Sequence, residues 1–363
     1  MTASKRRGRD LGLPFEGETG PHNAISDVAG VEVGTVTLIA GDGPLVVGRG
    51  PVRTGVTAIL PRGRENAHVA CAAGYYSFNG NGEMTGLMWI EEAGELQTPI
   101  TITNTHSCGV TRDATIRWLV SRGIGTGQDW GLPVAAETYD GDLNDINGFH
   151  VTAEHTLEAL DRARSGPVEM GSVGGGTGMM SYDFKAGNGS ASRRVSLGGE
   201  TYTLGVFVQS NFGRREDFTV LGVPVGRHII QDKLRGKDQG SVIAIIATDA
   251  PLLAHQLKRI ARRVPMGLAR TGTVGNNSSG DIFLAFSTAN AKALAQRSAG
   301  VVTMQVLPNT SLDPLFRATV GATEEAVIDA MLAAGTMVGR DGNTAIGLPH
   351  DMLIGVMRKY GRM

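Results

Sequence analysis

The chain has 363 residues, enough to bury one large core or two smaller ones, and glycine supplies 52 of them against only 14 prolines. The glycines follow no three-residue period and are spread among apolar runs, which excludes collagen and argues against a disordered low-complexity chain. With 34 basic and 35 acidic residues the net charge is −1, so nothing electrostatic points to nucleic acid.

The basic start Lys5-Arg6-Arg7 reads as a solvated tail. Residues 1–30 contain no apolar signal segment, and no apolar stretch reaches the ~18 residues of a membrane span, so the cytoplasm is the expected location. Val56 to Leu60 and Ile100 to Ile102 are apolar, rich in β-branched residues and bounded by turns, which predicts strands. Thr111 to Ser121 has the spacing of a helix with one buried face, and Thr152 can cap another through Leu157, Leu160 and Ala163. Leu204 to Val208 and Val242 to Ala247 are further strands. Asp249-Ala250-Pro251 reads as a helix start, a capping carboxylate and then a first-turn proline, with Leu257, Ile260 and Ala261 on the buried face. Ile282 to Phe286 and Val301 to Leu307 are the last predicted strands. Thr323-Glu324-Glu325 reads as the start of the last helix, with acids at its positive end and Val327, Met331 and Ala334 following. Strands and helices mix without strict alternation, which favours a layered α/β or α+β fold over a Rossmann fold or a barrel.

Several familiar chemistries have little or no motif support. Gly171 to Gly178 lacks the Gly-Lys-Ser/Thr ending of a phosphate loop and misses the GxGxxG register, so it reads as a close-packed loop lining some other site. His150 and His155 are five apart, not the four that align two metal ligands on a helix. No GxSxG elbow is present. Cys71 and Cys108 belong to no CxxC and read as buried thiols.

One serine stands in an unusual place. The polar run Lys237-Asp238-Gln239-Gly240 leads directly into Ser241, the first residue of a predicted core strand. Read alone, Ser241 is a strand-start serine after a turn. The functional alternative is a nucleophile exposed by self-cleavage. Glycine before it removes side-chain hindrance and tolerates strained dihedrals, the hydroxyl attacks the preceding carbonyl, and the new amine serves as base for that hydroxyl. A second polar cluster, Asn276-Asn277-Ser278-Ser279-Gly280-Asp281, precedes the strand at Ile282. Read alone it is an Asn/Ser/Gly turn; alternatively it sets a hydroxyl and a carboxylate beside that amine.

These segments resemble the DmpA / β-aminopeptidase family, the L-aminopeptidase D-esterases, which are self-processing serine hydrolases of the N-terminal-nucleophile type. The resemblance runs through His22 to Val28, Arg53 to Ala58, Asn79-Gly80-Asn81-Gly82-Glu83, Thr103 to Ser107, Glu137-Thr138-Tyr139-Asp140-Gly141, Gly174 to Gly178, Tyr182 to Lys185 and Ser210-Asn211-Phe212-Gly213. It continues through Gly240-Ser241, Ala247 to Pro251 and Ser279-Gly280-Asp281, and so covers nearly the whole chain. It implies a four-layer αββα sandwich, similar to N-terminal nucleophile hydrolases but of distinct connectivity. It also implies one domain, residues 1–363, cleaved between Gly240 and Ser241 into chains 1–240 and 241–363.

By motif the resemblance makes Ser241 the nucleophile, Ser279 the second catalytic serine and Asn211 the oxyanion-hole asparagine. Asp281 stands where some members have glutamate, one methylene longer. Glu137 would receive the substrate's amine. Tyr139 matches a tyrosine of DmpA-like members that some β-peptide specialists replace by an aliphatic residue. Read alone, Glu137 is a solvated or capping acid, Asn211 a turn residue and Tyr139 a packing residue. The implied substrate is a short peptide, amino-acid amide or ester, α- or β-amino, with a free amino end. No metal or organic cofactor is expected, nor nucleic acid or membrane as partner, and the implied assembly is a tetramer of αβ units. Two other readings use the same residues: an acyltransferase on a related fold, and an uncleaved, non-catalytic protein that binds amino compounds.

Overall fold

A computed structural model describes residues 6–123, 130–234, 240–295 and 300–363. Strands β1 (Glu32–Ala40) and β2 (Val52–Leu60) pair antiparallel. Next come β3 (Cys71–Gly80), α1 (Leu87–Ala93), β4 (Glu95–Leu96) and β5 (Ile100–Asn104). Helix α2 (Cys108–Ser121), β6 (Val134–Thr138) and α3 (Ala153–Asp161) follow. Two short strands, β7 (Met180–Ser181) and β8 (Phe184–Lys185), precede the long hairpin of β9 (Asn188–Leu197) and β10 (Glu200–Asn211). The rest runs through β11 (Ser241–Thr248), α4 (Ala254–Ala261), α5 (Val264–Arg270), β12 (Gly280–Ser287), α6 (Ala291–Ala295), α7 (Asp313–Leu332), β13 (Met337–Val338), β14 (Thr344–Ala345) and α8 (His350–Lys359).

Two sheets make the middle of the molecule. One has the order β1-β2-β5-β6, the other β4-β3-β12-β11-β10-β9. Their facing apolar side chains, among them Ile59, Ile102, Phe207, Ile245 and Leu284, form one core with no solvent exposure. Full burial of each such side chain stabilises by about 1.5–3 kcal/mol. Outside the smaller sheet Trp118 and Leu119 of α2 and Ala159 and Leu160 of α3 pack on Val56, Ala58 and Leu60 of β2. Outside the larger sheet Leu257, Leu268 and Val327, from α4, α5 and α7, pack on Val206, Ala244 and Phe283. The four layers αββα follow, as the resemblance implies.

Strand β2 and the central parallel pair β11 and β12 are buried at every position. Each lies inside a sheet covered on both faces, which is why its sequence is an apolar run rather than an alternation. The parallel register of β11 and β12 requires a crossover, and α4 and α5 supply it.

Four expectations change. Val301 to Leu307 form no strand: the segment pairs with no sheet and Val301 is fully exposed, so its β-branched composition has no pleated surface to fit. Asp249 does not cap a helix. Its carboxylate accepts the Thr203 N–H at 2.7 Å, and α4 begins only at Ala254. Glu324 and Glu325 sit in the middle of α7, which starts at Asp313-Pro314. Glu325 is buried there and bridged to Arg193 (2.6 Å) and Arg9 (2.8 Å), charges that come from distant sequence. Arg7 is no solvated tail residue either: it pairs with buried Asp329 at 2.8 Å and donates to the Ser190 carbonyl at 2.7 Å. Lys5 and the run Lys237–Gln239 lie outside the described residues.

Cys71 and Cys108 are free and buried, and burial pushes both thiols up to about 12. No helix among the described residues is long and apolar enough to cross a membrane.

Candidate active site

Three strand ends meet at one corner. Ser241, the first residue of β11, is paired on one side with Asn211, the last residue of β10, and on the other with Gly280, the first residue of β12. The Gly280 N–H approaches the Ser241 Oγ at 3.4 Å, and Ser241 is buried. The two neighbouring ladders fix the Ser241 backbone and so the direction of its Cα–Cβ bond.

The glycines at this corner are there for close approach. A Cβ at Gly240 would lie 1.9 Å from the Asn211 carbonyl oxygen and 2.6 Å from the Phe212 Cα. A Cβ at Gly280 would lie 2.3 Å from the Asn81 carbonyl oxygen. Neither glycine has a positive φ, so the strained dihedrals expected at Gly240 are replaced by a packing requirement.

The Asn211 amide is held at both ends. Its Oδ1 accepts the Met180 N–H at 2.9 Å and its Nδ2 donates to the Tyr139 carbonyl at 2.8 Å. One partner is a pure donor and the other a pure acceptor, so the amide orientation is fixed. The run Gly174 to Gly178 packs on the Val56 and Ile102 backbone and the Thr57 hydroxyl and delivers the chain to Met180, whose N–H holds Asn211.

Ser279 and Asp281 flank Gly280. Ser279 Oγ donates to Asp281 Oδ1 at 2.6 Å, and Asn79 Nδ2 donates to Asp281 Oδ2 at 3.0 Å. Both Ser279 and Asp281 are buried. A hydroxyl hydrogen-bonded to a carboxylate at this distance can pass a proton.

Glu137 lies near the end of the fully buried strand β6 and reaches the corner from the other sheet. Its Oε1 accepts the Glu83 N–H at 3.0 Å and its Oε2 accepts the Thr105 hydroxyl. A Cβ at Gly82 would stand 3.1 Å from Glu137 Oε1 and 3.2 Å from the Gly280 Cα, so Gly82 lies between the carboxylate and the Ser241 corner. Burial raises the Glu137 carboxyl above its ordinary range, against the Thr105 and Glu83 hydrogen bonds and the charge of His106, which lower it. Tyr139, two residues on, is exposed at the surface beside the site and lies over Gly141, where a Cβ would meet its hydroxyl at 2.4 Å.

The structure thus brings Ser241, Asn211 and Glu137 to one corner, with Ser279 and Asp281 flanking Gly280 at the same strand ends and Tyr139 exposed beside them. Together they supply a hydroxyl, an oriented amide, a hydroxyl–carboxylate pair and a buried anion, the group types of acyl transfer on an amine-bearing substrate. Asn79, Thr105 and the Met180 N–H carry no role in the sequence reading. Asn79 and Thr105 lie in quoted motifs, but only strand register shows what they touch. Among the described residues no three His, Cys, Asp or Glu side chains are grouped to hold a metal ion. His150 instead meets Asp145 at 2.9 Å, and the His155 ring accepts the Thr152 N–H at the start of α3.

Comparison with known proteins gives a consistent result. The family described as peptidase family S58 matches residues 23–345. The chain is 49% identical to beta-peptidyl aminopeptidase BapA of Sphingosinicella microcystinivorans, over all of this chain and 94% of that one. It is similar to the solved L-aminopeptidase D-Ala-esterase/amidase of Ochrobactrum anthropi, described as a variant of the Ntn hydrolase fold, at 49% identity and a TM-score of 0.93 over 98% of this chain and 99% of that one. A Burkholderia sp. beta-aminopeptidase aligns with a TM-score of 0.89 and 43% identity, over 98% of this chain and 99% of that one.

Proposed function

The chain belongs to peptidase family S58, and from that premise we propose that it is a self-processing serine aminopeptidase whose nucleophile is Ser241. The observation that carries the reading is the placement of Ser241 between Asn211 and Gly280 at the open end of two ladders.

Maturation comes first. The Ser241 Oγ attacks the Gly240 carbonyl, the peptide nitrogen leaves as the Ser241 amine, and the resulting ester is hydrolysed by water. The products are a chain ending in the Gly240 carboxylate and one beginning with the free amine of Ser241. That amine, with an unperturbed pKa near ~8, then accepts the Oγ proton in each turnover.

In turnover Oγ attacks the first carbonyl of the substrate. The Asn211 amide is the side-chain donor assigned to the developing oxyanion, and its orientation, held by Met180 and Tyr139, means that little reorganisation is needed as charge builds. Ser279, backed by Asp281, relays the proton to the leaving amine or alcohol. Water then releases the amino acid from the acyl-enzyme. Glu137 pairs with the substrate ammonium, which selects a free amino end, and Tyr139 flanks the first side chain. The relatives' activities support a short peptide, amino-acid amide or ester as substrate. An assembly of several αβ units, a tetramer, is part of the same proposal, and light scattering of the processed protein tests it.

Ser241→Ala tests the chemistry. The variant is expected to stay uncut and to release no amine from an amino-acid amide. Turnover surviving that change would place the chemistry on another residue. An N-acetylated amide is expected to be inert with the native protein, since it has no ammonium for Glu137.

A further inference from the structure

We propose that Asn79 is a positioning residue that fixes the Asp281 carboxylate in the rotamer from which it serves Ser279. The inference rests on the reading of Ser279 and Asp281 as a proton relay. Asn79 Nδ2 donates to Asp281 Oδ2 at 3.0 Å and approaches the Asn276 carbonyl oxygen at 3.3 Å. Both contacts are pure acceptors, so the amide presents its nitrogen and not its oxygen. The other carboxylate oxygen accepts the Ser279 hydroxyl at 2.6 Å. Each oxygen of Asp281 therefore has a distinct task, one anchored by Asn79 and one facing the relay.

The backbone puts Asn79 there. Asn79 and Asp281 are cross-strand partners of β3 and β12, where paired side chains share a face. The register shifts immediately after this pair, between Asp281 and Ile282. Such an irregularity re-aims the side chains next to it. Asn81, two residues on, donates to the Ser278 carbonyl at 2.7 Å and grips the same turn. Aspartate has a short reach, and a carboxylate that cannot extend toward its partner must be held where it is needed. After cleavage Asn79 would lie on chain 1–240 and Asp281 on chain 241–363, so this contact lets one chain organise the relay carried by the other.

The experiment compares Asn79→Asp, Asn79→Ala and Asp281→Asn in steady-state hydrolysis of an amino-acid amide, each checked for self-cleavage and thermal melting. Aspartate has the shape of asparagine but no donor, and it sets a like charge beside Asp281. The expected result is a kcat loss of about tenfold or more for Asn79→Asp, a smaller loss for Asn79→Ala, and KM within about twofold for both. A merely structural role lowers the melting temperature or the folded fraction but leaves kcat per processed, folded enzyme at the wild-type value in both variants, and that outcome overturns the proposal. If Asn79→Asp does not accumulate as folded protein, Asn79→Ala decides by itself: kcat equal to wild type overturns the proposal, and a loss confined to kcat supports it. Asp281→Asn separates the two layers. Full activity in that variant defeats the relay reading, whereas its loss alongside an active Asn79→Asp defeats only the role of Asn79.

Discussion

Asn211 and Ser241 face each other as the final register pair of β10 and β11, with the asparagine amide tied to Met180 on one side and Tyr139 on the other. In the proposed mechanism Asn211 is the oxyanion donor and acts on the transition state more than on bound substrate. Asn211→Ala is therefore expected to lower kcat roughly 10²–10³-fold with KM little changed. Steady-state kinetics on processed enzyme checks this, and a loss confined to KM would remove Asn211 from the oxyanion site.

Glu137 is buried and its carboxyl is raised by that burial. In the proposed function its charged form pairs with the substrate ammonium, so protonation is expected to weaken substrate binding. KM is expected to rise as pH falls through the raised carboxyl value. Glu137→Gln should show a KM roughly ten- to a hundredfold higher and lose this acid limb, because the amide carries no charge at any pH. A pH series of KM for both proteins reads it directly.

Gly240 leaves no room for a Cβ against the Asn211 carbonyl and Phe212. Gly240→Ala must push the end of β10 from β11, which moves Asn211 away from Ser241. Overpacking of this kind costs about 1–3 kcal/mol, so self-cleavage is expected to slow roughly tenfold or more and uncut chain to accumulate. Electrophoresis of freshly purified protein over time would show it.

Asp140 is fully buried between Tyr139 and Gly141. It accepts from Asn144 at 3.0 Å and is hydrogen-bonded by Thr54, yet burial still pushes its carboxyl up to about 7. The unfolded carboxyl ionises near ~4, so its contribution to stability is present below pH ~4 and is lost as pH rises toward 7. Asp140→Asn cannot ionise. Its stability relative to wild type is expected to climb between about pH 4 and pH 7, with a slope approaching about 1.4 kcal/mol per pH unit, and to level off above. Denaturant melts across that range measure the difference, and a flat difference would contradict a raised Asp140.

The sheets were largely legible in the sequence because the runs at Val56, Leu204, Val242 and Ile282 are apolar without alternation, which strands covered on both faces require. Val301 to Leu307 has the same composition and no sheet beside it, a difference that only tertiary structure shows. Glu324 and Glu325 looked like a helix start because acids favour that end; their arginine partners, Arg270 with Glu324 and Arg9 and Arg193 with Glu325, lie tens to hundreds of residues away. The site divides in the same way. Ser241, Ser279 and Asp281 stand next to glycines at predicted strand starts, so local pattern singles them out. Asn79, Thr105 and the Met180 N–H act only through cross-strand register and sheet packing, which no local pattern encodes.

Cleavage of the bond between Gly240 and Ser241 is read out by intact mass and N-terminal sequencing of purified, active protein. The 38.1 kDa chain is expected as two pieces of roughly 25 and 13 kDa, in proportion to 240 and 123 residues, the smaller beginning Ser241-Val242-Ile243. A single 38.1 kDa species with full activity, or a small piece beginning at any other residue, would rule out Ser241 as the self-exposed nucleophile.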